Sequence, residues 1–198
     1  MRALRLLAAI GAIALALPAS AQVSIGLHVG YIGSSSIDNV TTGGDAEVRN
    51  SAGWAATVAV PLDAGRELQL LYHQQSTNLK PGGGFAPFDV TIHMLHIGGT
   101  VFVDGPVGRG LYFVGGVGVT YFSPATSGYG SEVKPSLNLG IGYEIPLGER
   151  FALRAEARGY VTFVNSSGGF LCSGGCIVVL KSDAFTQGEA SLALIGRF

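Results

Sequence analysis

The last eleven residues, Gly188 to Phe198, read Gly-Glu-Ala-Ser-Leu-Ala-Leu-Ile-Gly-Arg-Phe. In an extended chain alternate residues share a face, so Ala190, Leu192, Leu194, Gly196 and Phe198 lie on one side and Glu189, Ser191 and Arg197 on the other. A strand in water gains nothing by stopping on a large aromatic. A strand that stops at a membrane surface does, because the ring rests at the headgroup level and completes an interfacial belt.

Composition points the same way. The chain is 47% hydrophobic and only 13% charged, with 31 Gly among 198 residues. Beyond the N-terminal segment no stretch approaches the roughly 18 consecutive apolar residues that a membrane helix needs. A hydrophobic, glycine-rich, weakly charged chain with its apolar residues spread in alternating segments fits a barrel with a lipid-facing exterior. A soluble sandwich needs more charge on its outer face.

Alternation and turn punctuation predict eight strands, at about 22–32, 52–62, 66–76, 88–103, 110–122, 133–147, 150–164 and 185–198. The connections alternate in length. Asp63-Ala64-Gly65, Asp104 to Arg109 and Gly148-Glu149 are short, whereas Gly33 to Ser51, Thr77 to Pro87, Ser123 to Glu132 and Asn165 to Ala184 are long. Short turns at one rim and long loops at the other are the outer-membrane arrangement. The expected fold is an all-β, eight-stranded antiparallel up-and-down transmembrane β-barrel over residues 22–198.

The N-terminus supplies an export signal. Met1-Arg2-Ala3-Leu4-Arg5 is basic, Leu6 to Leu17 is apolar, and Ala19-Ser20-Ala21 is a small-residue cleavage site. Residues 1–21 are therefore expected to be a cleaved signal peptide. Removing Arg2 and Arg5 leaves 10 basic residues, from 12, against 13 acidic. This balance offers no basic stripe for nucleic acid.

Faces follow from the period of two. Val23, Ile25, Leu27, Val29 and Tyr31 point out, as do Trp54, Ala56, Val58, Val60 and Leu62, while Ser24, Gly26, His28 and Gly30 point in. In the fourth strand Val90, Ile92 and Met94 share a face with His96, Gly98 and Thr100, and Asp89, Thr91 and His93 share one with Leu95 and Ile97. The apolar side switches near Met94-Leu95. A bulge there, bringing both His93 and His96 inside, is the expectation; an unbroken strand would turn His96 to lipid.

Arg154, Glu156 and Arg158 recur at spacing two and project inward, and the hairpin across Gly148-Glu149 sets Glu144 opposite Arg154. Confined arginines need carboxylate partners, so these four residues are expected to form an ion-paired lumen network. The terminal strand, with Leu192, Leu194 and Phe198, resembles the signal that outer-membrane barrels present to their assembly machinery, although Gly196 stands where a large residue is usual. The whole pattern resembles small eight-stranded barrels of the OmpA and OmpX type, whose interiors carry such ion pairs. The resemblance implies a monomer in the bacterial cell outer membrane, surrounded by lipid and lipopolysaccharide. Its long loops would serve structural or recognition roles toward an extracellular ligand. OmpW-type barrels imply an alternative, a narrow channel for small or apolar solutes.

The four histidines, with Glu67 and Asp89, show no metal-ligand spacing, and no Gly-x-Ser-x-Gly elbow is present. No metal, cofactor or catalytic residue is expected. A third class, a lipid-modifying enzyme, requires a His and a Ser within hydrogen-bond reach. Gly115-Gly116-Val117-Gly118 leads into strand rather than helix and packs as small residues. Cys172 and Cys176, in a loop of an exported chain, are expected to form a disulfide.

Overall fold

The computed structural model describes residues 23–34, 37–39, 44–80, 86–125, 130–164 and 184–198. Its strands are β1 Ser24–Ser34, β2 Ile37–Asn39, β3 Gly44–Val48, β4 Ser51–Pro61, β5 Arg66–Lys80, β6 Phe88–Phe102, β7 Gly110–Pro124, β8 Glu132–Pro146, β9 Phe151–Phe163 and β10 Ala184–Arg197. Eight of them, β1 and β4 to β10, close a barrel in which every neighbouring pair is antiparallel. The seam between β1 and β10 runs from Ser24 opposite Arg197 to Ser34 opposite Gln187. The backbones of Val23 and Phe198 extend it by exchanging hydrogen bonds of 3.1 and 3.0 Å. Closure leaves these eight strands no free edge, which backbone in hydrocarbon requires.

Two features differ from the sequence expectation. The segment read as one long loop, Gly33 to Ser51, contains the hairpin β2–β3, and β3 pairs through Glu47 and Val48 with Lys80 and Leu79 at the upper end of β5. The second correction concerns β6. Its register with β5 and β7 is unbroken from Phe88 to Phe102, so there is no bulge. His96 points inward and is buried, and His93 lies on the outer face.

The reason lies in strand length. A fifteen-residue strand is about 50 Å long at about 3.3 Å per residue, whereas a membrane strand needs about 9–11 residues. The upper part of β6 stands above the hydrocarbon. There the outer face is polar (Asp89, Thr91, His93) and the inner face is dry (Val90, Ile92, Met94). Lower down, Leu95, Ile97 and Val101 meet lipid while His96 and Thr100 face the interior. The apolar residues change sides because the solvent does.

Elsewhere the face assignments follow the alternation. Ile25, Leu27, Val29 and Tyr31 are exposed on β1, and Leu137, Leu139, Ile141, Tyr143 and Ile145 on β8. Their neighbours in sequence pack inside, where eight strands leave room for little beyond side chains. The upper interior holds an apolar cluster that includes Leu79, Phe88, Val90, Ile92, Met94, Phe122 and Phe185.

Candidate functional site

Below that cluster the interior is polar, in stacked levels. The lowest is built on Arg154, which β9 aims inward opposite Glu144 of β8. Its Nε donates to Glu144, and its Nη2 donates to Glu67 of β5, across the barrel, at 2.9 Å. Arg197, near the end of β10, reaches the second oxygen of Glu144, which is fully buried between the two guanidinium groups. The Arg154 guanidinium also lies 5.0 Å from the centre of the Tyr112 ring and 5.8 Å from that of Phe102. Cation–π contact on one side and carboxylates on the other leave this cation paired in every direction.

The turn between β6 and β7 packs beneath it at the lower rim. It folds back so that Val107 donates its backbone N–H to the Ala64 carbonyl at 2.7 Å and packs on Phe102, Tyr112 and Val114. Gly108 adopts φ +97°, and a Cβ there would collide with the Arg197 guanidinium. The positive φ calls for glycine.

The next level centres on Arg158. Its Nε donates to Glu156 at 2.8 Å, and its two terminal nitrogens donate to Asn138 and Gln69 at 3.3 and 3.2 Å. The Tyr112 hydroxyl donates to the other oxygen of Glu156 at 2.8 Å. Gly142 admits the Tyr112 ring, since a Cβ there would strike the ring carbon that bears the hydroxyl. Above it Tyr160 donates to Glu189 at 2.7 Å, with His73 Nε2 3.6 Å from the other oxygen of Glu189. His96 Nε2 lies 2.9 Å from Ser136 Oγ. Gln187 then bridges to Gln75 and Ser34 at 2.8 and 3.1 Å, beneath the apolar cluster.

The four residues singled out in sequence, Glu144, Arg154, Glu156 and Arg158, thus meet inside the barrel, in two levels rather than one chain. Sequence reasoning missed Glu67, Tyr112, Gln69, Asn138 and Arg197 as their partners. The alternation Glu67-Leu68-Gln69-Leu70 carried a signal for the first, with its polar positions on the inward face. His and Ser do meet, at His96 and Ser136, but both are buried and the opposite ring nitrogen of His96 has no protein partner. No acid orients that imidazole as a triad would. Among the described residues no group of three or more His, Cys, Asp or Glu could hold a metal ion. Leu192, Leu194 and Phe198 are exposed on the outer face, and the Phe198 ring lies over Gly196, where a Cβ would be 3.3 Å from it. Cys172, Cys176 and the signal segment lie outside the described residues.

A closed antiparallel barrel, apolar outside and ion-paired within, is the design of an outer-membrane protein. The chain matches the family described as "Outer membrane protein beta-barrel domain" over residues 4–186 and belongs to it. It resides in the bacterial outer membrane. No curated protein matches it in sequence. Among solved structures it is similar to neisserial surface protein A (NspA), at 12% identity and a TM-score of 0.58 over 90% of this chain and 97% of that one. AlkL, determined in DMPC bilayers, gives 13% and 0.53, over 90% of each chain. Ail, the attachment invasion locus protein of Yersinia pestis, determined in complex with the heparin analogue sucrose octasulfate, gives 16% and 0.51, over 90% and 99%. At these identities the likeness is one of fold.

Proposed function

We propose that the mature chain, freed of residues 1–21, is a monomeric outer-membrane barrel with a stoppered lumen, inserted by the outer-membrane assembly machinery and acting through its long loops at the cell surface. The observation that supports this is the succession of packed and ion-paired levels in the interior. Val107 packs at the lower rim, the Arg154 and Arg158 ion pairs occupy the middle, and the cluster around Ile92, Met94 and Phe122 lies above them. An ion crossing such a lumen would have to break buried, doubly paired guanidinium contacts, each costly to disrupt.

The loops suggest the kind of partner. The long loops, at 33–51, 77–87, 123–132 and 165–184, contain three basic residues, Arg49, Lys80 and Lys181, against five acidic ones, and include Phe85, Tyr129, Phe170 and Leu171. Such loops suit a protein or other weakly charged surface and not a polyanion like the sulfated sugar bound by Ail. The rival reading, a narrow conduit, draws support from buried atoms without a hydrogen-bond partner in the protein, among them His73 Nδ1, Gln69 Nε2 and Thr100 Oγ1. We place enzymatic activity last, because His96 and Ser136 are sealed from lipid and lack an orienting acid.

Planar-bilayer recording separates the first two readings. The purified protein is expected to give little or no steady conductance. Reproducible openings whose ion selectivity changes in Arg154→Ala would reverse the ranking.

A further inference from the structure

The lumen carries more carboxylates than arginines. Among the described residues four carboxylates are buried in it, Glu67, Glu144, Glu156 and Glu189. Three guanidinium groups pair with the first three: Arg154 with Glu67 and Glu144, Arg197 with Glu144, and Arg158 with Glu156. Lys134 and Glu132, less buried and higher on β8, pair with each other at 2.9 Å. Glu189 has no arginine or lysine partner among the described residues. Arg158 stands opposite it in register, but its guanidinium is engaged with Glu156, Asn138 and Gln69. A buried charge without a counter-charge is costly.

A histidine faces Glu189 instead. Glu189 reaches from β10 across β1, and His73 reaches from β5 across β4, so that Nε2 of the fully buried imidazole lies 3.6 Å from Glu189 Oε1. The two strands between them make room for this meeting. Gly30 of β1 and Gly53 of β4 stand directly opposite each other. A Cβ on Gly30 would collide with Glu189 Oε1, and one on Gly53 would stand 3.2 Å from His73 Nε2. Tyr160 of β9 fixes the other oxygen of Glu189 through its 2.7 Å hydrogen bond, with its ring centre 5.6 Å from that of His73. No other group hydrogen-bonds to the His73 ring among the described residues. The other two lumen histidines meet hydroxyls and not carboxylates: His96 of β6 lies 2.9 Å from Ser136, and His28 of β1 lies 3.2 Å from Thr57. The strand β4 carries no ionisable side chain.

We propose that His73 and Glu189 form a proton-binding site that latches the barrel across its closing seam. The proton sits on His73 Nε2, makes the imidazole the fourth cation of the lumen and balances its four carboxylates. Beside it Gln187 and Gln75 join the same two strands by a neutral hydrogen bond of 2.8 Å, which does not respond to pH. With the proton bound, β10 and β5 are held by an ion pair that spans β1 and β4. Once it is lost, Glu189 is a buried carboxylate without a counter-charge. The latch is therefore closed on the acidic side and is released as pH rises through about 5 to 8, the range in which histidines exchange protons. The inference depends neither on what the loops bind nor on whether the lumen conducts.

Urea unfolding of the purified protein in detergent, at constant ionic strength and at about pH 5 and about pH 8, tests this. The unmodified protein is expected to lose about 1 M in urea midpoint from the lower to the higher pH. Most of that loss should vanish in His73→Gln and in Glu189→Gln, and it should persist in His28→Gln and His96→Gln. Glu189→Gln should also fall below the unmodified protein at the lower pH and match or exceed it at the higher, a reversal that lost packing alone does not produce. Nitrogen NMR of protein isotopically labelled at histidine gives the direct signature. Both His73 ring nitrogens should carry protons at the lower pH and one at the higher, with the signals assigned by their disappearance in His73→Gln. If Glu189→Gln fails to fold, the NMR signature of the unmodified protein decides. A pH response untouched by the His73 and Glu189 variants, a His73 ring singly protonated throughout, or sodium ions restoring the midpoint at the higher pH would overturn the proposal.

Discussion

Arg154 links three strands of the barrel, because its guanidinium holds Glu144 on β8 and Glu67 on β5 from a position on β9. The two carboxylates are not equivalent. Removing Glu144 leaves Arg154 with Glu67 and takes the carboxylate only from Arg197, the less buried of the two cations, whereas removing Arg154 leaves Glu67 without its cation and Glu144 with Arg197 alone. Breaking a buried pair costs about 3–5 kcal/mol. Arg154→Ala should therefore destabilise the barrel by about that amount, Glu144→Ala by less, and the double variant by less than the sum, read from urea-induced unfolding in detergent. A simple additive result would remove the coupling. At His96 and Ser136 the expectation is chemical: a fluorophosphonate should not label Ser136 in the folded protein, and stoichiometric labelling would revive the enzyme reading. At this scale the sequence was informative where partners are local. The hairpin register brings Glu144 to Arg154, ten residues apart, but Glu67 is 87 residues away and becomes its partner only when the barrel closes.

Strand β6 shows how an element can mislead when its environment changes along its length. A switch of apolar face normally signals a bulge, since inside is dry and outside is wet in a soluble sheet. In a barrel that crosses and overshoots a bilayer, a straight strand meets dry and wet surroundings on either side at different heights. The expected bulge and the inward placement of His93 were wrong for that reason, while His96 does face inward. The absence of a bulge demands close contact between β6 and β7, and Gly98 provides it: a Cβ there would overlap the Gly115 carbonyl and the Gly116 backbone. Gly98→Ala should lower stability by about 3 kcal/mol or prevent folding. Gly188→Ala, where a Cβ meets nothing within 4 Å, should change it by no more than about 0.5 kcal/mol. Unboiled gel mobility and urea titration give the comparison, and equal tolerance at both sites would refute the close-packing argument. The β2–β3 hairpin was hidden for a different reason. Its strands are three and five residues long, too short for an alternating pattern to stand out from a polar loop.

At the scale of the whole molecule, closure is the step that converts eight antiparallel strands into a barrel, and it falls on β1 and β10. Strand count, alternating loop lengths and the exported, weakly charged composition were all legible, because a barrel repeats one simple pattern around its circumference. The levels of the interior were not, because they depend on the stagger between strands distant in sequence. The terminal residue joins both descriptions. Phe198 exchanges two backbone hydrogen bonds with Val23, and its ring, over Gly196 and exposed at the lower rim, sits where an interfacial aromatic belongs. Deleting Phe198 removes the last two bonds of the seam together with that ring, whereas deleting Thr126-Ser127-Gly128 shortens a long loop. The first deletion should sharply reduce the fraction of protein that reaches the outer membrane in a heat-modifiable form, migrating differently before and after boiling, and the second should leave it near the unmodified level. Restoring the position with Trp or Tyr should recover most of the assembled fraction, while Ala should recover little, because the ring and not merely the backbone is required at the interface. Full recovery with Ala would show that the seam bonds alone suffice, and the aromatic end would then have no part in closing the barrel.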